Sequence, residues 1–322
     1  MSESGQPVLS VVNVVVSDTV SGHAHTRLMR ESLKALQAQE GVPSMEVVVP
    51  YHEDTDGIDA LRSEFPDMRF ILVEGYGTAS RPEGDREHHD ALRARGMREA
   101  RGRYIALLED HGRPAKQWAA SLNMAHEGDL SGVGGAIENG VDKALNWAVY
   151  FCDFSRYQNP VPGGISDYAS DANTAYKREA LESVQDIWGE AFQEVIVNQN
   201  LARQGKHVGL VGDAVVYQHR EGLSLGEALK ERYSWGRSYA ITRSQMMSTP
   251  KRLIFAALSP AIPVAMMVRL AKTAWQRKRN FGKFITCLPV LTLLLIWWSV
   301  GEAVGYMVAG RPDAKPSSHY GG

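Results

Sequence analysis

Cysteine is scarce in this sequence, with two residues in 322. Cys152 and Cys287 lie in unrelated surroundings, so neither a disulfide framework nor a zinc ribbon is expected, and a reducing compartment suits the main part of the chain. Internal repeats and low-complexity segments are also missing. The first residues, MSESGQP, have no basic stretch leading into an apolar run, which predicts no export signal and places the main domain in the cytoplasm. Acidic residues are scarce at one end only. From Lys251 onward there are ten Lys and Arg against Glu302 and Asp313, whereas the part before carries 25 basic and 35 acidic residues. Such an asymmetry implies two environments rather than one.

What is present is an ordinary folded composition, 44% apolar and 22% charged, in a chain long enough for one sizeable core and a smaller appendage. Residues 8–16, rich in β-branched side chains, read as a strand and are followed by a helix around 26–39. A strand at 45–50, a helix near 57–64, a strand at 68–75 and a helix from about 86 to 100 continue the alternation. A fourth strand begins at Tyr104. The pattern predicts an α/β fold, a mostly parallel sheet flanked by helices, whose ligands bind at the carboxyl ends of the strands. Beyond Pro114 it loosens into a helix, a strand at 131–137, an amphipathic stretch at 141–156 and a loop with Pro160 and Pro162. A helix at about 190–204 and a strand at 207–217 close the domain.

The tail holds two hydrophobic stretches. Residues 284–309 are long enough to cross the roughly 30 Å hydrocarbon layer. Residues 253–268 are short for a span and contain Pro260 and Pro263. Between them lie six basic residues and no acid, which the positive-inside rule keeps cytoplasmic. The expected organisation is a catalytic domain over 1–248, an interfacial or re-entrant segment with its basic loop over 249–283, a single transmembrane helix over 284–310, and a disordered tail over 311–322. A two-span hairpin is the alternative.

The apolar strand YIALL runs directly into Glu109, Asp110 and His111. Three ligand-type residues at a strand end suit a divalent cation that itself holds a diphosphate, although a single acid there equally serves as a helix cap. VLSVVNVVVSD, then MEVVV, then ALRARGMREARGRYIALLEDHGRPAKQW together resemble the family 2 glycosyltransferases, which have the A-type, Rossmann-like nucleotide-sugar fold. The resemblance covers about residues 8–245. It implies a nucleotide-sugar donor, with Ser17, Asp18 and the Arg95 of the Ala94-Arg95-Gly96 step on the donor side. The family's Asp-x-Asp becomes Glu109-Asp110-His111 here, and imidazole suits Mn2+ better than Mg2+. The second strand, which in this family commonly ends in aspartates near the base, ends instead in Tyr51-His52. Tyr51 with Asp54 or Asp56 takes that role, or the segment is a plain turn.

Further along, DANTAYKREAL resembles the family's acceptor-side segment, which implies that Asp171 and Asn173 meet sugar hydroxyls. Counting back from Gly205 sets Glu194 on the acid that acts as general base. Without the resemblance, Glu194 is an acid interacting with a helix N-terminus. His219 is either a further metal ligand or a satisfied, partly buried histidine. Arg237, in a helix over 231–243 with Arg232, Trp235 and Tyr239, either clamps the diphosphate or belongs to a stripe that docks the core on the membrane segment. His23, His25, His88 and His89 read as surface or loop residues.

The resemblance thus implies a membrane-anchored, metal-dependent, inverting glycosyltransferase. Its acceptor is expected to be a lipid or lipid-linked glycan, since the basic tail favours anionic headgroups, and no nucleic-acid partner is expected. Two rivals stand beside it. A nucleotidyltransferase needs a Gly-rich phosphate loop, which SDTVSGHAH matches poorly. A catalytically inactive membrane scaffold would account for the altered Asp-x-Asp.

Overall fold

The computed structural model describes residues 5–17, 26–41, 44–75, 87–245 and 247–309. Asp18, His23 and His25 lie outside them, as does the tail beyond residue 309. The chain divides into two compact units. The first is Met1–Pro82, Glu87–Glu138 and Asn159–His219, and the second is Glu83–Arg86, Asn139–Gln158 and Arg220–Gly322.

The first unit is built on a mixed sheet flanked by helices. Strands β1 (Leu9–Val14), β2 (Met45–His52), β3 (Arg69–Val73) and β4 (Tyr104–Glu109) alternate with helices α1 (Arg27–Gln37), α2 (Ile58–Glu64) and α3 (Glu87–Glu99). They stand in the order β3-β2-β1-β4, all parallel, with Val14 opposite Glu109. The period-2 alternation of a strand sends Leu9, Val11, Ala106 and Leu108 to one face, against Met29 and Leu33 of α1. It sends Val12, Val14, Ile105 and Leu107 to the other, against Leu92 and Met97 of α3. Gly102 makes the turn into β4. Its amide donates to Ser10 Oγ at 2.6 Å, and a Cβ there would press on the backbone of Leu9 and Ser10.

The other half of the sheet is antiparallel. It comprises β5 (Gly112–Pro114), β6 (Gly132–Asn139), β7 (Gly164–Ser166), β8 (Asn173–Lys177) and β9 (Val208–Gln218), with α4 (Trp118–Ala125) between β5 and β6. β8 inserts between β4 and β6 and places Asn173 opposite Leu108. Asp171 is thereby carried to the end of β4. Short helices α6 (Arg178–Glu182) and α7 (Gln185–Trp188) lead to α8 (Glu194–Arg203).

The second unit is helical: α5 (Ala144–Phe154), α9 (Leu225–Ser244), α10 (Thr249–Leu258), α11 (Ile262–Arg277) and α12 (Phe281–Val308). Its apolar core gathers Trp147, Tyr150 and Phe151 of α5 with Cys287, Leu291, Leu294 and Leu295 of α12. The amphipathic stretch 141–156 therefore belongs to this unit rather than to the sheet. Pro260 and Pro263 do not stop the first hydrophobic stretch. Each stands in the opening turn of a helical segment, where its missing N–H is not needed, so α10 and α11 join through one 3-10 turn. Two helical runs, Thr249–Arg277 and Phe281–Val308, are long and apolar enough to cross a membrane, so the first stretch is not too short for a span.

Candidate active site

The centre of the site is a guanidinium with no solvent access. Arg93 projects from α3 and its side chain is 0% exposed. Its Nη2 lies 2.8 Å from Glu109 Oε1 and 2.8 Å from Asp171 Oδ2, and its Nη1 lies 3.5 Å from Asp90 Oδ1. Burial pulls the arginine pKa down, but Asp171, Glu109, Asp90 and Glu194 together raise it above its ordinary value. One end of the constellation is fixed by α3, with Asp90 and Arg93 on successive turns. The other ends come from β4 and from the turn before β8.

Glu194 is the first residue of α8, and Gln193 is its N-cap. The Phe192 amide donates to the Asp90 carbonyl at 3.0 Å, which ties the entry of α8 to the start of α3. A helix N-terminus ordinarily stabilises a carboxylate. Here burial, and then the neighbouring Asp171 charge, push the Glu194 carboxyl up to about 8 against the pull of Arg93. A carboxyl poised near neutral pH is suited to accepting a proton from a hydroxyl. Tyr176, whose hydroxyl donates to Asn198 Oδ1 at 2.8 Å, is buried nearby, and burial raises its pKa.

Asp110 faces β1 instead. Its Oδ2 accepts from Ser17 Oγ at 2.5 Å and its Oδ1 accepts from the Val16 amide at 3.2 Å. His111 folds over both acids, Nδ1 at 3.1 Å from Asp110 Oδ1 and Nε2 at 3.4 Å from Glu109 Oε2. The His219 amide donates to the His111 carbonyl at 2.7 Å. Glu109, Asp110, His111 and Ser17 are thus neighbours, and the backbone of His219 adjoins them. Their donor atoms do not fit a resident divalent cation: Glu109 is committed to Arg93, and Asp110 to Ser17 and Val16. Among the described residues no three His, Cys, Asp or Glu side chains group to hold a metal ion.

Several expectations are corrected. Arg95 points away from the site, pairs with Glu99 at 3.0 Å and is 42% exposed; the arginine that enters is Arg93, two residues earlier. Asn173 is turned into the core. Its Oδ1 accepts from Trp118 Nε1 at 2.8 Å, and its Nδ2 donates to the carbonyls of Ala136 and Ala214 at 2.8 and 2.9 Å, so it locks β8 rather than meeting a ligand. His88 and His89 are buried in the first turn of α3, 3% and 0% exposed, not on a surface or loop. Arg237 lies on α9 in the second unit, where its carbonyl abuts Gly305 of α12. Tyr51 and His52 extend β2, and the chain turns only beyond them.

The sequence matches no protein-family model and no curated protein. Among solved structures, the mannosyltransferase PcManGT from Pyrobaculum calidifontis, in complex with GDP-Man and Mn2+, is similar at 16% identity and a TM-score of 0.52. The match covers 93% of this chain and 88% of that one. This chain has the fold of a glycosyltransferase. S. aureus TarS 1–349, in complex with UDP-GlcNAc, matches at 13% identity over 94% of this chain and 90% of that one, with a TM-score of 0.46.

Proposed function

We propose that this chain is a glycosyltransferase that moves a sugar, a hexose in the simplest case, from a nucleoside diphosphate onto an acceptor hydroxyl, with Glu194 as the base. The observation that carries the reading is the Glu194 carboxyl held near 8 beside the Arg93–Asp171–Glu109 cluster, in a chain whose fold is that of a glycosyltransferase. In the reaction the acceptor oxygen bonds to the anomeric carbon as the bond from that carbon to the diphosphate oxygen breaks. The acceptor proton passes to Glu194, and the nucleoside diphosphate leaves. A single displacement of this kind inverts the anomeric carbon. Asp171, anchored by Arg93, orients Glu194 and keeps its proton affinity high.

The Mn2+ in the mannosyltransferase complex belongs to that protein. Here Glu109 and Asp110 are already engaged, so manganese enters as a variable of the test. The basic tail supports a lipid or lipid-linked acceptor, because it favours an anionic surface. The experiment is sugar release from a panel of nucleotide sugars, GDP-mannose first, with and without Mn2+, for the wild type and Glu194→Gln. Release by the wild type and its loss in the variant are expected. No release from any donor, together with no thermal stabilisation by any nucleoside diphosphate, would favour an inactive scaffold.

A further inference from the structure

The two apolar helical runs of the second unit are long enough to cross a bilayer, yet their neighbours argue against it. α12, at about 1.5 Å per residue, is roughly 42 Å long. Two helices accompany it. Towards its start, Phe284 packs edge-on against Phe151 of α5 at 5.2 Å, and Lys283 pairs with Asp142 at 2.6 Å. Towards its end it lies against α9, which carries Glu227, Lys230, Glu231, Arg232, Arg237 and Arg243. The approach is close: a Cβ at Gly301 would meet the carbonyl of Tyr233, and one at Gly305 the carbonyl of Arg237. Arg243 Nη1 donates to Tyr306 Oη at 3.1 Å. A bilayer crossed by α12 would have to take in the charged residues of α9 as well, and charged side chains are costly in hydrocarbon.

The opposite side of the unit is apolar and uncovered. Along α10 and α11, Leu253, Ile254, Leu258, Val264 and Val268 are each more than half exposed. They form one apolar stretch, Leu253–Val268. It then gives way to Arg269, Lys272, Trp275 and Lys278, all exposed. Exposed Ile285, Ile296, Trp297 and Val300 extend the apolar surface onto α12. Arg252 bonds the carbonyl of Ala309 and Ser299 Oγ donates to the Ser259 carbonyl at 2.6 Å, so α10 and α12 are tied side by side. An apolar face ending in an exposed tryptophan and a basic cluster matches the headgroup boundary of an anionic membrane.

We propose that this face is a monotopic membrane-binding surface: α10, α11 and the outer side of α12 lie in one leaflet of a bilayer containing anionic lipid, and neither apolar run crosses it. The test uses the full chain in sealed vesicles of known orientation, with Cys152→Ala/Cys287→Ala as the cysteine-free background. Single cysteines are placed at Asp129→Cys in the first unit, at Gly282→Cys in the first turn of α12, and after Gly322. A membrane-impermeant maleimide is expected to label all three from the same side. Labelling of the terminal cysteine from the opposite side would establish a single span, and of Gly282→Cys alone a hairpin; either overturns the proposal. Binding of purified protein to preformed phosphatidylcholine vesicles should rise when phosphatidylglycerol is included, and fall roughly 30-fold for Lys272→Gln/Lys278→Gln. Charge-independent binding, or burial of the face in a dimer that ignores vesicles, would also overturn it.

Discussion

Glu194 answers to two opposed demands. To take a proton it must be ionised, and its surroundings favour the neutral form up to about pH 8. The rate of sugar transfer should therefore rise with pH to about 8 and level off above it. Glu194→Gln is expected to lower the rate by about 10²–10⁴, the usual worth of a positioned base, whereas a residue that served only the helix dipole would change it little. Asp171→Asn removes the repelling charge beside Glu194, so the rising limb of the profile should move to lower pH; an unmoved limb would refute the coupling. Arg93→Ala leaves Asp90, Glu109 and Asp171 without their shared cation and should cost about 3–5 kcal/mol of stability, read by denaturant unfolding. Asp171 and Glu194 were legible in the sequence through the likeness of DANTAYKREAL and the count back from Gly205 to a known family rather than through periodicity, and the structure sets both near Arg93. Arg93 was not, since Arg93 and Arg95 are near-identical as letters. Only the buried face of α3, shared by Asp90, Arg93 and Met97, separates them.

At the scale of elements, the parallel strands announce themselves through β-branched runs buried on both faces, and each was readable to within a few residues. The antiparallel strands were harder for a physical reason. β5 and β7 are three residues long and β8 is five, too short for a period to register, and their pairing is set by distant partners. β8 in turn decides where Asn173 points. In the tail, proline counted as a breaker, but at the opening of a helical segment it breaks nothing. The glycines of α12 carry a consequence that can be measured. Gly301 and Gly305 face the carbonyls of α9 one turn apart, a spacing that lets two helices approach closely. Gly305→Leu should destabilise the chain by about 1–3 kcal/mol through overpacking, seen as an earlier tryptophan-fluorescence transition. Gly226→Ala, at a position with open space around it, is the control. Equal melting of both variants would mean that the α9–α12 contact contributes little.

For the whole chain, two groups with displaced pKa values set pH dependences of opposite sign. His126 stacks on Tyr104 at 4.5 Å, and burial, then the nearby charge of Lys177, lower its pKa from 6.5 to about 4. The fold holds it neutral, so its contribution is complete above pH 6.5 and is lost as the pH falls towards 4. Glu194 is displaced the other way, from 4.5 to about 8. Its contribution is complete below pH 4.5 and is lost as the pH rises through 8. Between these limits the two slopes oppose each other, and outside them each acts alone. The melting temperature of Glu194→Gln should therefore fall less than that of the wild type between pH 6.5 and 8, and that of His126→Phe should fall less between pH 6.5 and 4. An alkaline slope unchanged in Glu194→Gln would mean that Glu194 ionises at an ordinary pH, and the proposed base would lose its physical support. If the slope flattens as expected, stability and catalysis pull apart at one residue: the proton whose departure arms Glu194 is the proton that stabilises the fold around it.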